Sequence, residues 1–428
     1  MRWLLNAAYA SVFIAVSPVL AWRALRTGRY RHSWPERLLG QVPELPTGVS
    51  CIWFHGVSLG EVQLLTPLLL EFRARHPQHT VVLSTSTMTG LELARKSLPN
   101  VITFTCPWDF SWAMRRAVNR LRPALIVLGE LELWPNWVAL AAERGVPIAI
   151  VNGRLSDRSY RGYARGRMLL TPTFQRLSLV AAQDESSAAR FRSLGVDPIA
   201  LHVTGSLKVD NVVADRQHDE VVARAQMVGL LPQHHVLIVG STQAPEEAAS
   251  VAAVQRLLTK HPGLKLIVVP RHPERFDEVS RILQQSGMDV LRRSQLSTPV
   301  SADAWQVLLV DSVGELKWWW GLAELALVGG SFGDRGGQNM LEPAAYGAKV
   351  AFGPNTRNFR TIVSALLEKE AAWELPNLDA LESWIDDQLT DPASGFSHTE
   401  RAKQWIATQQ GATERTYELL TKLLQPSG

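Results

Sequence analysis

Short apolar runs alternate with longer stretches of helical periodicity along most of the chain. Cys51–Phe54, Val81–Leu83, Leu125–Leu128 and Ile148–Val151 read as buried strands, because each run is too short for a helix and ends in turn-forming or polar residues. Val62–Arg75 and Leu91–Lys96, between them, repeat apolar residues at helical spacing. Leu179–Ala182 and Leu201–Thr204 extend this series. The pattern restarts at His235–Val239 and continues through Leu264–Val269, Val307–Val310, Leu325–Val328 and Val350–Phe352. Strand–helix alternation implies parallel strands joined by crossover helices. The expected fold is α/β, with two doubly wound Rossmann-like domains over 35–210 and 234–428 facing a cleft. The polar stretch 211–233 is the expected linker, and the last helical segment, Glu400–Leu424, is expected to return to the first domain. Ligands of open parallel sheets bind beyond the carboxyl ends of the strands, so the loops there are where chemistry is sought.

The amino terminus has a different pattern. From Trp3 to Trp22 no residue is charged, and Asn6 is the one strongly polar side chain. Such a run matches the ~30 Å of hydrocarbon that a helix of about 20 residues spans. Tryptophan at both ends suits an interfacial belt. Residues 1–34 therefore read as a membrane anchor with a basic juxtamembrane segment; an interfacial helix and a signal peptide cleaved near Val19-Leu20-Ala21 are the alternatives. Arg23, Arg26, Arg29, Arg31 and Arg37 follow the run, and the positive-inside rule then puts the body in the cytoplasm, on the inner membrane. The first 40 residues hold six arginines and one acid, against a net charge of +4 for the whole chain. The body is thus near neutral, which argues against a nucleic-acid partner. Two cysteines, Cys51 and Cys106, cannot build a disulfide framework or a cysteine metal site.

Candidate chemistry follows the strands. His55-Gly56-Val57-Ser58-Leu59-Gly60-Glu61 leaves the first strand and places Glu61 at a helix start, where a carboxylate can act as a base or simply complement the helix dipole. The dipole is expected to favour its charged form. Gly129-Glu130-Leu131-Glu132-Leu133-Trp134-Pro135 puts two carboxylates at another strand end. Arg154, Arg158, Arg161 and Arg165 follow Asn152-Gly153, and the last three share a helical face suited to an anionic headgroup, a phosphate or plain solvent. In the second domain, Gly240-Ser241-Thr242 and the glycine-rich segment from Gly329-Gly330-Ser331 through Gly337 resemble backbone anion sites. Pro270-Arg271-His272 offers a guanidinium to a phosphate. There is no Walker A sequence and no GxGxxG after the first strand, and the histidines lack ligand spacing, so no metal is expected.

These motifs, in this order, resemble the 3-deoxy-D-manno-octulosonic acid (Kdo) transferase family over nearly the whole chain. The matching segments are HGVSLGE (55–61), ELELWPN (130–136), NGRLS (152–156), TGSLKVD (204–210), GST (240–242), PRHPERF (270–276) and VGGSFGDRGGQNMLEPAAYG (328–347). The resemblance implies a glycosyltransferase B fold and metal-independent, inverting transfer of Kdo from CMP-Kdo to the lipid A precursor, without a cofactor. By position it implies that Glu61 is the general base and that Glu132 (or Glu130) is a second active-site carboxylate. It also places Arg271 at the CMP phosphate, Glu342 on the ribose with Asn339 beside it, and Ser241, Thr242 and Gly330 as backbone donors; His272, Ser331 and Gly337 join the donor site. The acceptor lies on the first domain. Two positions depart from the family pattern: Gln243 and Gln338 stand where histidine is usual. Lys317-Trp318-Trp319-Trp320 is outside the pattern and reads as aromatic packing. A different lipid glycosyltransferase, a non-catalytic anchored binding protein and a sugar-nucleotide epimerase are the competing functions.

Overall fold

The computed structural model describes residues 2–27, 33–210, 212 and 214–424, so Arg29 and Arg31 of the expected basic flank lie outside the described residues. Contacts divide the chain into two compact units, one of residues 1–211 with 409–428 and the other of residues 212–408.

In the first unit, β1 (Cys51–His55), β2 (Thr80–Thr85), β3 (Ile102–Thr105), β4 (Pro123–Gly129), β5 (Ile148–Gly153), β6 (Leu179–Ala182) and β7 (Leu201–Val203) form one parallel sheet. Its order is β3-β2-β1-β4-β5-β6-β7. Every residue of β1 is buried because helices cover both faces. Trp53 joins Ile126, Ile150 and Trp137 on one face, while Ile52 and Phe54 join Val62, Leu65 and Val127 on the other. The helix Ala412–Leu424 adds Tyr417 and Leu420 to the second of these clusters, with Tyr417 against Phe72.

In the second unit, β8 (His235–Thr242), β9 (Leu264–Pro270), β10 (Val290–Arg292), β11 (Val307–Leu309), β12 (Leu325–Val328), β13 (Lys349–Phe352) and β14 (Trp373–Glu374) form another parallel sheet, in the order β10-β11-β9-β8-β12-β13-β14. Strands β3, β10 and β14 have no counterpart in the apolar pattern. All three are sheet edges, where Ile102 is exposed and Arg292 and Glu374 meet solvent on one side. Trp319 and Trp320 are buried, and Trp318 stacks on His218, so this tryptophan run is packing.

Both sheets reverse direction once. In the first, crossovers run one way from β1 and the other way from β4; in the second, the same happens at β8 and β12. The loops that leave these neighbouring strands separate there and open a crevice in each unit.

The amino-terminal helix spans Arg2–Thr27. The expected anchor within residues 1–34 is not confirmed: among the described residues, no helix is long and apolar enough to cross a membrane. At 26 residues its length suffices. Its polar face is committed to protein. Asn6 is buried; its amide donates to Ser111 Oγ at 2.7 Å and its carbonyl accepts from Ser111 N and Asn136 Nδ2, both at 3.1 Å. Tyr9 donates to Asp109 Oδ2, and that buried carboxylate also accepts from Asn136 N and Trp137 N. Burial pushes the Asp109 carboxyl up to about 7, against these three donors. Phe13 packs edge-on against Trp34 and Trp108. Asn6→Leu leaves the buried Asn136 amide and the Ser111 hydroxyl short of partners, a loss of roughly 1–3 kcal/mol in docking. Hydrogen exchange over residues 3–17 is expected to accelerate while β1–β6 keep their protection; unchanged exchange refutes the polar clamp.

Candidate functional site

The β1 loop builds a capped carboxylate. Ser58 is the N-cap of the helix Leu59–Arg75, which puts Glu61 in its first turn. Glu61 reaches back to accept from Val57 N at 2.9 Å and from Ser58 Oγ at 3.1 Å, a variant of the capping box. Gly56 makes this approach sterically feasible, because a Cβ there would lie 3.1 Å from Glu61 Cβ. The helix dipole favours the charged form, but burial outweighs it. Burial raises the Glu61 pKa; the Val57 N–H opposes that shift and the Glu130 charge adds to it. The Lys208 ammonium pulls the other way.

The other carboxylates come from the neighbouring strand at the reversal. Glu130 follows β4 with φ 53°, a left-handed turn that re-aims the chain. It meets Lys208 Nζ at 3.1 Å. Burial, followed by the Glu61 charge, pushes Glu132 up to about 7, and a hydrogen bond from Trp134 opposes the shift. The structure therefore brings together Glu61, Glu130 and Glu132, which come from two loops, with the Lys208 ammonium beside Glu130 and acting on Glu61. Lys208 is the member that residue-level reading missed; its motif, TGSLKVD, was its only signal. It is placed by Asn152, whose buried side-chain carbonyl accepts from Leu207 N at 3.0 Å and from Ser206 Oγ.

Arg158, Arg161 and Arg165 project from the helix Asp157–Arg165 as an exposed basic face, with Arg154 half-buried before it. The next helix, Arg167–Phe174, exposes Met168 and Leu169. Beside them lies a mostly apolar groove of about 810 Å³, lined in part by Trp3, Leu5, Ala8, Ala139, Leu169 and Leu170.

In the second unit the predicted donor residues separate into two groups. Glu342, Asn339 and Arg271 come together: Asn339 Nδ2 donates to Glu342 Oε1 at 3.0 Å, and the charges of exposed Arg271 and of Lys317 act on the same carboxylate. Burial nevertheless raises the Glu342 pKa. His272 is half-buried and lies 3.8 Å from Glu274. Gly337 donates its N–H to the Gly330 carbonyl at 2.8 Å. The other group is structural. Ser331 Oγ is buried between Val328 O and Gly353 N. Thr242 is fully buried, and Ser241 sits in a left-handed turn. The amide of Gly330, expected as a phosphate donor, points at Glu246 instead, as does the amide of Ser331 from the same donor-site segment. The two departures from the family pattern converge, since a Cβ on Gly330 would lie 3.6 Å from both Gln243 Nε2 and Gln338 Nε2. Among the described residues, no group of three His, Cys, Asp or Glu side chains is arranged to hold a metal ion.

Residues 32–211 match the family model described as 3-deoxy-D-manno-octulosonic-acid transferase (kdotransferase). The chain is 31% identical to the 3-deoxy-D-manno-octulosonic acid transferase of Haemophilus influenzae, over 97% of this chain and 98% of that protein. The Bordetella pertussis protein of the same name is 33% identical over 86% of each chain. The fold is similar to that of the UDP-GlcNAc 2-epimerase of Neisseria meningitidis (TM-score 0.57, 11% identity, 87% of this chain and 99% of that one). It is similar to the same degree to a glycosyltransferase of Rickettsia africae (TM-score 0.56, 11% identity, 89% of this chain and 100% of that one). With two parallel seven-stranded sheets, and with sequence identity that runs most of the length of both chains, the protein belongs to the 3-deoxy-D-manno-octulosonic acid transferase family.

Proposed function

We propose that this protein transfers Kdo from CMP-Kdo to a hydroxyl of the lipid A precursor, with inversion at the anomeric carbon and Glu61 as general base. The observation that carries this reading is the carboxylate cluster at the β1/β4 reversal, centred on a capped and half-buried Glu61. Glu61 takes the acceptor hydroxyl proton as the oxygen attacks the anomeric carbon. The bond from that carbon to the CMP phosphate breaks, and CMP leaves with the electron pair. Arg271 faces the departing phosphate, and Glu342 receives the ribose hydroxyls. This route uses no cofactor and no metal. A carboxylate whose pKa is raised by burial is a stronger base than an exposed one. Glu132, pushed up to about 7, holds a proton for part of the time near neutral pH and relieves the repulsion within the cluster.

The acceptor side is supported by the basic face of Arg158, Arg161 and Arg165 next to exposed Met168 and Leu169 and the apolar groove. Cations suit lipid phosphates, and apolar surface of this kind suits acyl chains. The amino-terminal helix contributes Trp3 and Leu5 to that groove, which fits a helix resting at the membrane surface with the body on the cytoplasmic side of the inner membrane.

Glu61→Gln keeps the shape and loses the proton acceptor, so kcat is expected to fall by about 10²–10⁴-fold with CMP affinity unchanged. Near wild-type turnover would shift the base to Glu132. Arg271→Ala is expected to weaken CMP-Kdo binding by about one to two decades while the KM for lipid stays within a few-fold. Calorimetric titration with CMP and a lipid-dependence series separate the two effects. Lys208 favours the charged form of Glu61, and a base acts only when charged. Lys208→Met therefore raises the Glu61 pKa and should move the acid limb of the kcat profile to higher pH; a shift to lower pH contradicts the cluster.

A further inference from the structure

At the β8/β12 reversal, a carboxylate of the protein itself already fills the backbone site where a phosphate was expected. Glu246 opens the helix Glu246–Leu257 and is 1% exposed. Its Oε2 accepts from Gln243 N and Gly330 N, each at 2.9 Å. Its Oε1 accepts from Ser331 N at 3.2 Å and more loosely from Phe332 N at 3.4 Å. Four amides from two separate loops thus converge on one buried anion. Its neighbour Glu247 is different, being ion-paired with Arg275. The chain is shaped around this contact: a Cβ on Gly329 would lie 2.7 Å from Glu246 Oε2 and 2.8 Å from Ser241 O.

The two loops tied by Glu246 carry the polar groups of the second unit. The β8 loop presents Gln243, whose own N–H is one of the four donors. The β12 loop presents Gly330, whose carbonyl fixes Gly337 and so leads to Gln338 and Asn339. Both glutamine amides gather beside Gly330. We propose that Glu246 is a positioning residue of the nucleotide-sugar site, a built-in anion that occupies the backbone amides of the crevice, sets the spacing of Gln243 and Gln338, and directs the donor phosphate to side chains such as Arg271. This proposal rests on the reading of the second unit as the donor side. Burial works against the charged form and the four amides work for it, and the net effect raises the pKa.

The test compares Glu246→Gln and Glu246→Asp with wild type. Gln turns an NH₂ toward amide donors and disrupts the fan, whereas Asp keeps the charge on a shorter stem. Glu246→Gln is expected to raise the donor KM, and the Kd for CMP measured by calorimetry, by up to about 100-fold, the cost of misplacing a positioning group. The KM for lipid should change less than threefold, and Glu246→Asp should recover part of the loss. A purely structural role predicts a lower melting temperature and less active protein with unchanged donor KM in the surviving fraction, and that result overturns the proposal. If Glu246→Gln does not fold, an unchanged CMP Kd in Glu246→Asp overturns it as well. Titrating wild type with CMP, UMP and UDP keeps the two ideas apart. Preference for a uridine nucleotide refutes the CMP reading, and the Glu246 comparison then runs on that nucleotide.

Discussion

In an all-parallel sheet every strand ends on the same edge, and crossovers that leave in opposite directions must separate somewhere along that edge. In this protein the separation falls between β1 and β4 in one unit and between β8 and β12 in the other. The groups with chemical promise are set by this geometry. Glu61 follows β1 and Glu130 and Glu132 follow β4, so residues about 70 positions apart meet because their strands are paired neighbours. Glu246 and Gly330 meet for the same reason, through the β8–β12 pairing.

The two crevices surround their carboxylates with different partners. In the first, carboxylates crowd one another and Lys208 compensates in part, so burial and repulsion hold proton affinity high. High proton affinity is what a base for a hydroxyl requires. In the second, four backbone amides surround a single carboxylate and satisfy it without a cation.

The amino-terminal helix shows how local apolarity and tertiary commitment compete. Its run of uncharged residues is as long as a membrane span, yet Asn6 and Tyr9 lie on one face and find buried partners in the first unit. Once those hydrogen bonds are made, removing that face to hydrocarbon leaves Asp109 and Asn136 short of partners.

The sequence by itself determined the class of fold, the two-part division of strands, and the loops that carry Glu61, Glu132, Arg271 and Glu342. It did so because buried parallel strands must be continuously apolar and because the family motifs sit at strand ends. Edge strands β3, β10 and β14 escaped it, since solvent on one side permits polar residues and leaves no apolar run. The tertiary structure alone decided three matters. It joined Lys208 to the carboxylates through Asn152, a contact across more than fifty residues with no local signature. It turned the Gly330 amide, expected at the donor phosphate, toward Glu246, together with the amide of Ser331. It raised the Glu61 pKa where the helix dipole alone would lower it, because desolvation depends on what covers a group and a linear sequence does not state its cover.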